Sequence, residues 1–318
     1  MKIIQITPAG KQSKSGNRVT ADRWARLLRN LGHQVETHVN YDGQPADAMI
    51  ALHAWRSHDA IMEFKAQNPK NPLILALTGT DINEFIHSHP DPTLQSIEAA
   101  DALVCLHDLV PGLVPRAHRR KLTVIYQSAP PLSTPRQPSK RHFDICVIGH
   151  LRQEKDPFRT AEAVRDLPSR SRIRVIHLGR AHDESWAKQA RAEMKINPRY
   201  VWKGEVPKWQ VRREFAKSQL MVISSRNEGG ANVVSEALVA GVPVIASDIT
   251  GNVGLLGKDY AGIYPLEDAG TLQALLLRCE TEPAFLKRLA QQGRALAPNF
   301  TPEEEQRRWG KVIAEFGG

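Results

Sequence analysis

Leu220-Met221-Val222-Ile223-Ser224-Ser225-Arg226-Asn227-Glu228-Gly229-Gly230-Ala231-Asn232-Val233-Val234-Ser235-Glu236-Ala237-Leu238-Val239 reads as a short buried strand, a Gly-rich turn and a helix. An apolar run of this length, bounded by turn residues, is the mark of a strand covered on both faces. Strand, turn and helix in that order make half of a βαβ unit.

The same unit recurs along the chain. Upstream, Ile3 to Ile6, Val35 to Val39, Ala48 to Leu52, Leu73 to Leu77, Ala102 to Leu106 and Leu122 to Tyr126 read as strands. The clearest helix between them runs from about Gly16 to Leu31, with Trp24, Leu27, Leu28 and Leu31 on one face and Gly32 at its end. Residues 127–142, with Pro130, Pro131, Pro135 and Pro138, break the pattern as a linker. The alternation then restarts with strands at Phe143 to Ile148, Ile173 to Leu178, Tyr200 to Trp202, Leu220 to Ile223, Pro243 to Ala246 and Gly262 to Tyr264. Helices near 268–279, 283–296 and 302–316 close the chain, the last with Thr301 as N-cap, Pro302 at its first position and Glu304 completing a capping box. The expectation is an α/β protein of two Rossmann-like, doubly wound parallel-sheet domains facing a cleft. Their bounds are 1–130 and 143–300, joined by a linker at 131–142, with a last helix at 301–318. Ligands of such sheets bind at the carboxyl ends of the strands, so the cleft is the expected site.

Composition narrows the function. The 318 residues carry 43 Lys and Arg against 34 Asp and Glu, a net charge of +9. Aromatic residues are only 6% and the cations are scattered, with the densest run, Arg116 to Lys121, interrupted by Ala117 and His118. A nucleic-acid surface gathers cations and aromatics together, so an anionic small molecule is the expected ligand. No apolar run is long enough to span a membrane, and the first residues lack a leader's apolar core. Cys105, Cys146 and Cys279 are far apart and read as reduced thiols, which points to the cytoplasm. No metal-ligating spacing is present among the 12 histidines, and no cofactor is expected.

Four segments at strand ends can carry chemistry. Gly229, Gly230, Ala231, Asn232 and Val233 offer backbone N–H groups to an oxyanion, and Glu228 and Glu236 can accept from paired sugar hydroxyls. Equally, Glu228 can cap the helix and Glu236 can sit in its first turn for the dipole alone. His150, Arg152 and Lys155 follow strand 143–148 and suit a departing diphosphate, or form a plain surface charge run. Lys14, Gly16, Asn17 and Arg18 lie between the first strand and first helix, where they read as an anion cradle or a flexible loop. His53 and Arg56 follow strand 48–52, and Thr78, Thr80 and Asp81 follow strand 73–77; Asp81 reads as an acid, a base or a helix cap, and His53 as an acid, a base or a structural hydrogen-bonding group.

A Gly-x loop after the first strand, a basic turn after the linker and Glu228-x(7)-Glu236 together resemble the retaining glycosyltransferases of the GT-B fold, family 4. The resemblance spans the chain. It implies that Glu236 holds the donor ribose, that Glu228 holds the transferred sugar, and that the basic turn holds the diphosphate. It also implies that the base is held at the backbone of Val206, in Trp202-Lys203-Gly204-Glu205-Val206-Pro207, and that the last helix, 301–318, returns to the first domain. A narrower set is similar to the selenosugar synthases of selenoneine biosynthesis: Ser15-Gly16-Asn17-Arg18-Val19-Thr20-Ala21, Leu52-His53-Ala54, Leu77-Thr78-Gly79-Thr80-Asp81, Tyr126-Gln127-Ser128, Gly149-His150-Leu151-Arg152, Asn197-Pro198-Arg199-Tyr200, Glu228 to Glu236 and Gly251 to Gly257. That resemblance implies a metal-independent transfer of a sugar, N-acetylglucosamine in the first instance, from a UDP-sugar to selenophosphate. Lys14, Asn17, Arg18, His53, Arg56, Thr78, Thr80 and Asp81 fall on the acceptor side, and Gly16 on the donor side. UDP-sugar is a co-substrate; nucleic acid, membrane and an obligate protein partner are not expected. His150 stands where family 4 has Arg, Thr78 where it has His, and Gly230 where it has a bulky residue, departures that suit a small trianionic acceptor. The rival readings are a hexosyltransferase with a sugar or lipid acceptor, a UDP-sugar epimerase, and a non-catalytic sugar-nucleotide or nucleic-acid binder.

Overall fold

The structure, a computed structural model, describes residues 1–13 and 15–317. It divides into two compact units, Met1–Ser128 with Pro302–Gly318, and Ala129–Thr301.

The first unit is built on β1 (Lys2–Ile6), β2 (Gln34–His38), β3 (Ala48–Leu52), β4 (Leu73–Leu77), β5 (Ala102–Cys105) and β6 (Leu122–Val124). They form one parallel sheet in the order β2-β1-β3-β4-β5-β6. Alternate residues of each strand enter different cores, as the period of two requires. Ile4, Met49, Ala51, Leu73, Leu75 and Leu103 pack on one face, and Ile3, Ala48, Ile50, Ile74, Ala76 and Val104 on the other. Both faces are buried, which is why these strands read as unbroken apolar runs. Around the sheet lie α1 (Gly16–Asn30), α2 (His58–Gln67), α3 (Ile86–Ser88) and α4 (Pro90–Ala99). Trp24, Leu27 and Leu28 of α1 enter the second core. A π-helical turn at Asp81–Phe85 and a 3₁₀ turn at Arg116–Lys121 join the elements.

The second unit repeats the plan with β7 (Phe143–Ile148), β8 (Ile173–Leu178), β9 (Tyr200–Trp202), β10 (Leu220–Ile223), β11 (Val244–Ser247) and β12 (Ile263–Tyr264). Their order is β12-β11-β10-β7-β8-β9, again parallel throughout. Its helices are α5 (Arg159–Arg165), α6 (Glu184–Ile196), α7 (Lys208–Lys217), α8 (Asn232–Val239), α9 (Thr250–Leu256), α10 (Ala269–Thr281) and α11 (Pro283–Leu296). The proline-rich stretch 131–142 falls inside this unit, with Arg136 donating to the carbonyls of Gly241 and Ser218, each at 2.5 Å.

The last helix, α12 (Pro302–Ala314), belongs to the first unit. Trp309 meets Trp24 edge-on at 4.8 Å. Close to that contact Glu305 is fully buried. Its carboxylate accepts from Arg23 Nε at 2.9 Å, Trp24 Nε1 at 2.7 Å and Ser128 N at 3.0 Å, and from the Ser128 hydroxyl. A buried carboxylate is tolerated only when so completely paired.

Among the described residues no helix is long and apolar enough to cross a membrane, and no group of three or more His, Cys, Asp or Glu side chains is placed to hold a metal ion.

Candidate functional site

Each sheet reverses its direction of growth at one point. In the second unit the chain builds β7-β8-β9 to one side and then places β10 on the other side of β7. The carboxyl ends of β7 and β10 therefore stand side by side, at the position where doubly wound sheets bind ligands. The loops that leave them are the basic turn 149–155 and the Gly-rich turn 224–231.

These two turns are stapled together. Lys155 Nζ lies 2.5 Å from Glu228 Oε1, and Ser225 Oγ donates to the same oxygen at 2.6 Å. Ser224 Oγ donates to the carbonyl of Asp156 at 2.8 Å, and Arg226 N to that of Glu154 at 2.8 Å. Asp156, nearly buried and in the left-handed region at φ 42°, gathers Arg159 at 2.8 Å and Arg226 at 3.4 Å. Ser225, Asp156 and Arg226 were not among the sequence candidates; their signal, a polar run straight after a buried strand, is too common to single them out. Arg152 lies 3.0 Å from Glu154.

The backbone is held from the neighbouring strands. His177, wholly buried on β8, donates Nε2–H to the Gly149 carbonyl at 3.0 Å, and its Nδ1 accepts from the Tyr200 hydroxyl at 2.9 Å. Burial lowers its pKa to about 4, so the ring is neutral and keeps that tautomer. A Cβ on Gly179 would lie 1.8 Å from the Gly149 oxygen, and one on Gly251 2.2 Å from the Glu228 oxygen, so only glycine fits at either place. Gly251 stood in the sequence pattern. Gly179-Arg180 after β8 could have been found as an echo of Gly149-His150 after β7.

His150 accepts at Nδ1 from Arg180 N at 3.2 Å. Burial and the neighbouring Arg152 and Arg180 lower its pKa, so it offers a neutral N–H rather than a charge. The basic turn itself carries Arg152 and Lys155, with the exposed Arg180 beside His150, while Arg159 and Arg226 are paired with Asp156. Ala231 is buried just ahead of α8, while Gly229, Gly230, Asn232, Val233 and Glu236 are half-buried in the turn and the first turns of that helix. Val206 is half-buried in the loop after β9.

In the first unit the reversal lies between β1 and β3. Gly16, Asn17 and Arg18 form the first turn of α1, which Ser15 caps by accepting from Arg18 N at 3.5 Å. The Arg18 guanidinium is paired with Asp22 at 2.8 Å. Lys14 lies outside the described residues. His53, after β3, is buried and held at φ 78°, a strained value for a side chain of its size. Its Nδ1 accepts from Arg56 N at 3.2 Å and its Nε2 meets Thr80 Oγ1 at 2.9 Å. Burial lowers its pKa, so the ring is neutral and Nε2 carries the proton.

Asp81 is fully buried, and its two oxygens accept from Ala54 N at 3.1 Å, Thr78 N at 3.0 Å and Gly79 N at 2.7 Å. It ties the loop after β3 to the loop after β4, which is a positioning role rather than a ligand contact. Arg56 is exposed. Trp55 stacks on Phe85 at 4.1 Å beside it, with His89 4.6 Å from Trp55, an aromatic cluster the sequence reading missed. Phe85 closes the π-helical turn and His89 follows α3, so the cluster gathers rings from two loops.

Residues 134–296 match the model of the family described as Glycosyl transferases group 1. A 143-residue segment is 29% identical to the putative teichuronic acid biosynthesis glycosyltransferase TuaC of Bacillus subtilis (strain 168), covering 45% of this chain and 34% of that protein. A 150-residue segment is 27% identical to glycosyltransferase 1 domain-containing protein 1 of Xenopus tropicalis, covering 46% and 43%. The matched segments thus span less than half the length of these curated relatives. Among solved structures, Anabaena Alr3699/HepE in complex with UDP superposes with a TM-score of 0.81 at 16% identity, over 99% of this chain and 100% of that one. Sucrose-phosphate synthase (tll1590) from Thermosynechococcus elongatus superposes with a TM-score of 0.81 at 14% identity, over 99% and 98%. At such identities the likeness speaks for the fold, and that fold, with its two six-stranded parallel sheets, is GT-B. Because the family model covers more than half of the residues and includes both turns at the β7–β10 reversal, the chain belongs to the group 1 glycosyl transferases.

Proposed function

We propose that the protein is a retaining, metal-independent glycosyltransferase that moves a sugar, N-acetylglucosamine in the first instance, from its UDP donor to selenophosphate. The observation that carries the donor half is the junction of Lys155 and Glu228 at the β7–β10 reversal, 2.5 Å apart. A carboxylate for sugar hydroxyls and an ammonium for the diphosphate are what a sugar-nucleotide needs at its bond of cleavage. The complexes of HepE with UDP are in keeping with this donor.

In the reaction the selenium lone pair forms a bond to the anomeric carbon. The bond from that carbon to the β-phosphate oxygen breaks, and its electron pair leaves on UDP. Arg152, Lys155 and the His150 N–H stabilise that charge; Glu236 holds the ribose and the Val206 backbone the base. Water then cleaves the selenium–phosphorus bond, giving phosphate and a 1-seleno-sugar. Selenium is nucleophilic enough to need no strong base, which accords with the neutral His53 and the fully occupied Asp81. The acceptor's charge falls to Arg18, Arg56 and the Thr80 hydroxyl. This acceptor assignment rests on the sequence set around residues 15–21, 52–54 and 77–81.

A second reading is favoured by one observation. The half-exposed Trp55–Phe85 stack beside Arg56 suits the face of a sugar acceptor, as in an ordinary hexosyltransferase.

The test is UDP release with UDP-N-acetylglucosamine, with and without selenophosphate, and mass spectrometry of the product. Release that needs selenophosphate, with selenium's isotope pattern in the product, is expected. Release driven instead by a sugar or lipid acceptor overturns the acceptor assignment and keeps the donor half.

A further inference from the structure

We propose that the second unit carries a second anion site, on the flank of α7, that takes a phosphate monoester attached to a flat ring. A cavity of about 250 Å³ lies there, floored by Leu178 and walled by Lys203, Trp209, Arg213, Glu214 and Lys217. Trp209, Arg213 and Lys217 are spaced four residues apart and so share one face of the helix. All three are exposed, Trp209 at 58%. An indole so open beside a cavity is a stacking surface without an occupant.

The charges are unequal. Lys203 is matched by the buried Glu214 at 3.1 Å. Among the described residues neither Arg213 nor Lys217 has an ion-pair partner, which leaves two cations over an apolar floor. That balance fits a dianion, with Arg213 giving paired hydrogen bonds and Lys217 a point charge. From Trp209 to Lys217 the helix rises roughly 12 Å, the length of a nucleoside monophosphate lying along it. No residue of the wall belongs to the turns 149–155 or 224–236; through Lys203 and Trp209 the cavity adjoins the loop that carries Val206, so the test must tell it apart from the place proposed for the donor's base.

Calorimetric titration of the full chain with adenosine 5′-monophosphate, with saturating UDP-N-acetylglucosamine, which has no terminal phosphate, filling the donor site, tests the idea. One equivalent should bind, with inorganic phosphate at least tenfold weaker. Arg213→Ala with Lys217→Ala should weaken binding at least tenfold, and Trp209→Ala should weaken the nucleotide but leave phosphate unchanged. Should Trp209→Ala melt early, Trp209→Phe keeps a stacking ring and should retain binding. Binding abolished by UDP-N-acetylglucosamine, or unchanged in the charge variants, overturns the proposal. So does capture of phosphatidylserine vesicles by α7 with no affinity for the nucleotide.

Discussion

Lys155 and Glu228 meet although 73 residues separate them in the chain. Each was legible as a candidate, because a basic turn and a Gly-rich turn after buried strands are visible in the sequence. Their meeting was not, because it depends on β10 lying beside β7, which no local pattern encodes. Lys155→Ala should lower UDP release by about two orders of magnitude, the scale of losing one stabilising donor, and near-normal turnover would remove Lys155 from the machinery. Gly179→Ala drives a methyl group into the Gly149 carbonyl, at a position where φ is +155°. It should destabilise the second unit by about 3 kcal/mol and cut turnover as the basic turn shifts. Thermal unfolding and UDP release on the same preparation check both effects. The residues proposed for the acceptor show the other limit of sequence reading. Asp81 could be placed at the end of β4, but its complete enclosure by the N–H groups of Ala54, Thr78 and Gly79 appears only in space.

At the scale of elements, buried strands and one-sided helices were the easiest to read. The apolar runs of β3 and β4 coincide with their observed bounds, and α1 ends at Asn30, one residue before the sequence reading. The π-helical turn at Asp81–Phe85 was illegible because a wider helical turn has no distinct period over five residues. For α12 the sequence offered a capping signal, and the family resemblance a return to the first domain; what holds it there was not legible. Its anchor is the buried Glu305, a residue type that sequence patterns assign to solvent. Glu305→Ala takes the carboxylate from Arg23 Nε, the Trp24 N–H and Ser128, leaving Arg23 its bond to Gln127, and should cost about 4 kcal/mol, the scale of breaking a buried pair. Urea unfolding followed by tryptophan fluorescence should show an early transition as the Trp24–Trp309 contact opens. An unchanged midpoint would mean that α12 is held by its apolar side chains alone.

At the scale of the whole molecule, each unit holds a buried neutral histidine, His107 in the first and His177 in the second, with pKa lowered by burial from 6.5 to about 4. The folded state prefers the neutral ring, so the unfolded chain takes up protons first as pH falls. Their contribution is therefore complete above pH 6.5 and is lost between there and about pH 4. From pH 7 to pH 5 the loss should be about 2 kcal/mol per histidine. Denaturant midpoints at the two pH values measure it, and His177→Gln should flatten its share. A profile level across that range would contradict the neutral assignment. The division into two sheets was legible from the restart of strands at Phe143; the strand orders were not, because parallel neighbours leave no mark on each other's sequence. The first unit is discontinuous, and that shapes its synthesis. On the ribosome its sheet emerges long before α12, and all of Ala129–Thr301 is made in between. Until then the face that Trp309, Val312 and Ile313 will cover stays open, and Arg23 lacks the carboxylate of Glu305. The second unit can finish folding while the first is still waiting for its last helix, so a nascent chain stalled before Pro302 should present an adhesive apolar surface to chaperones.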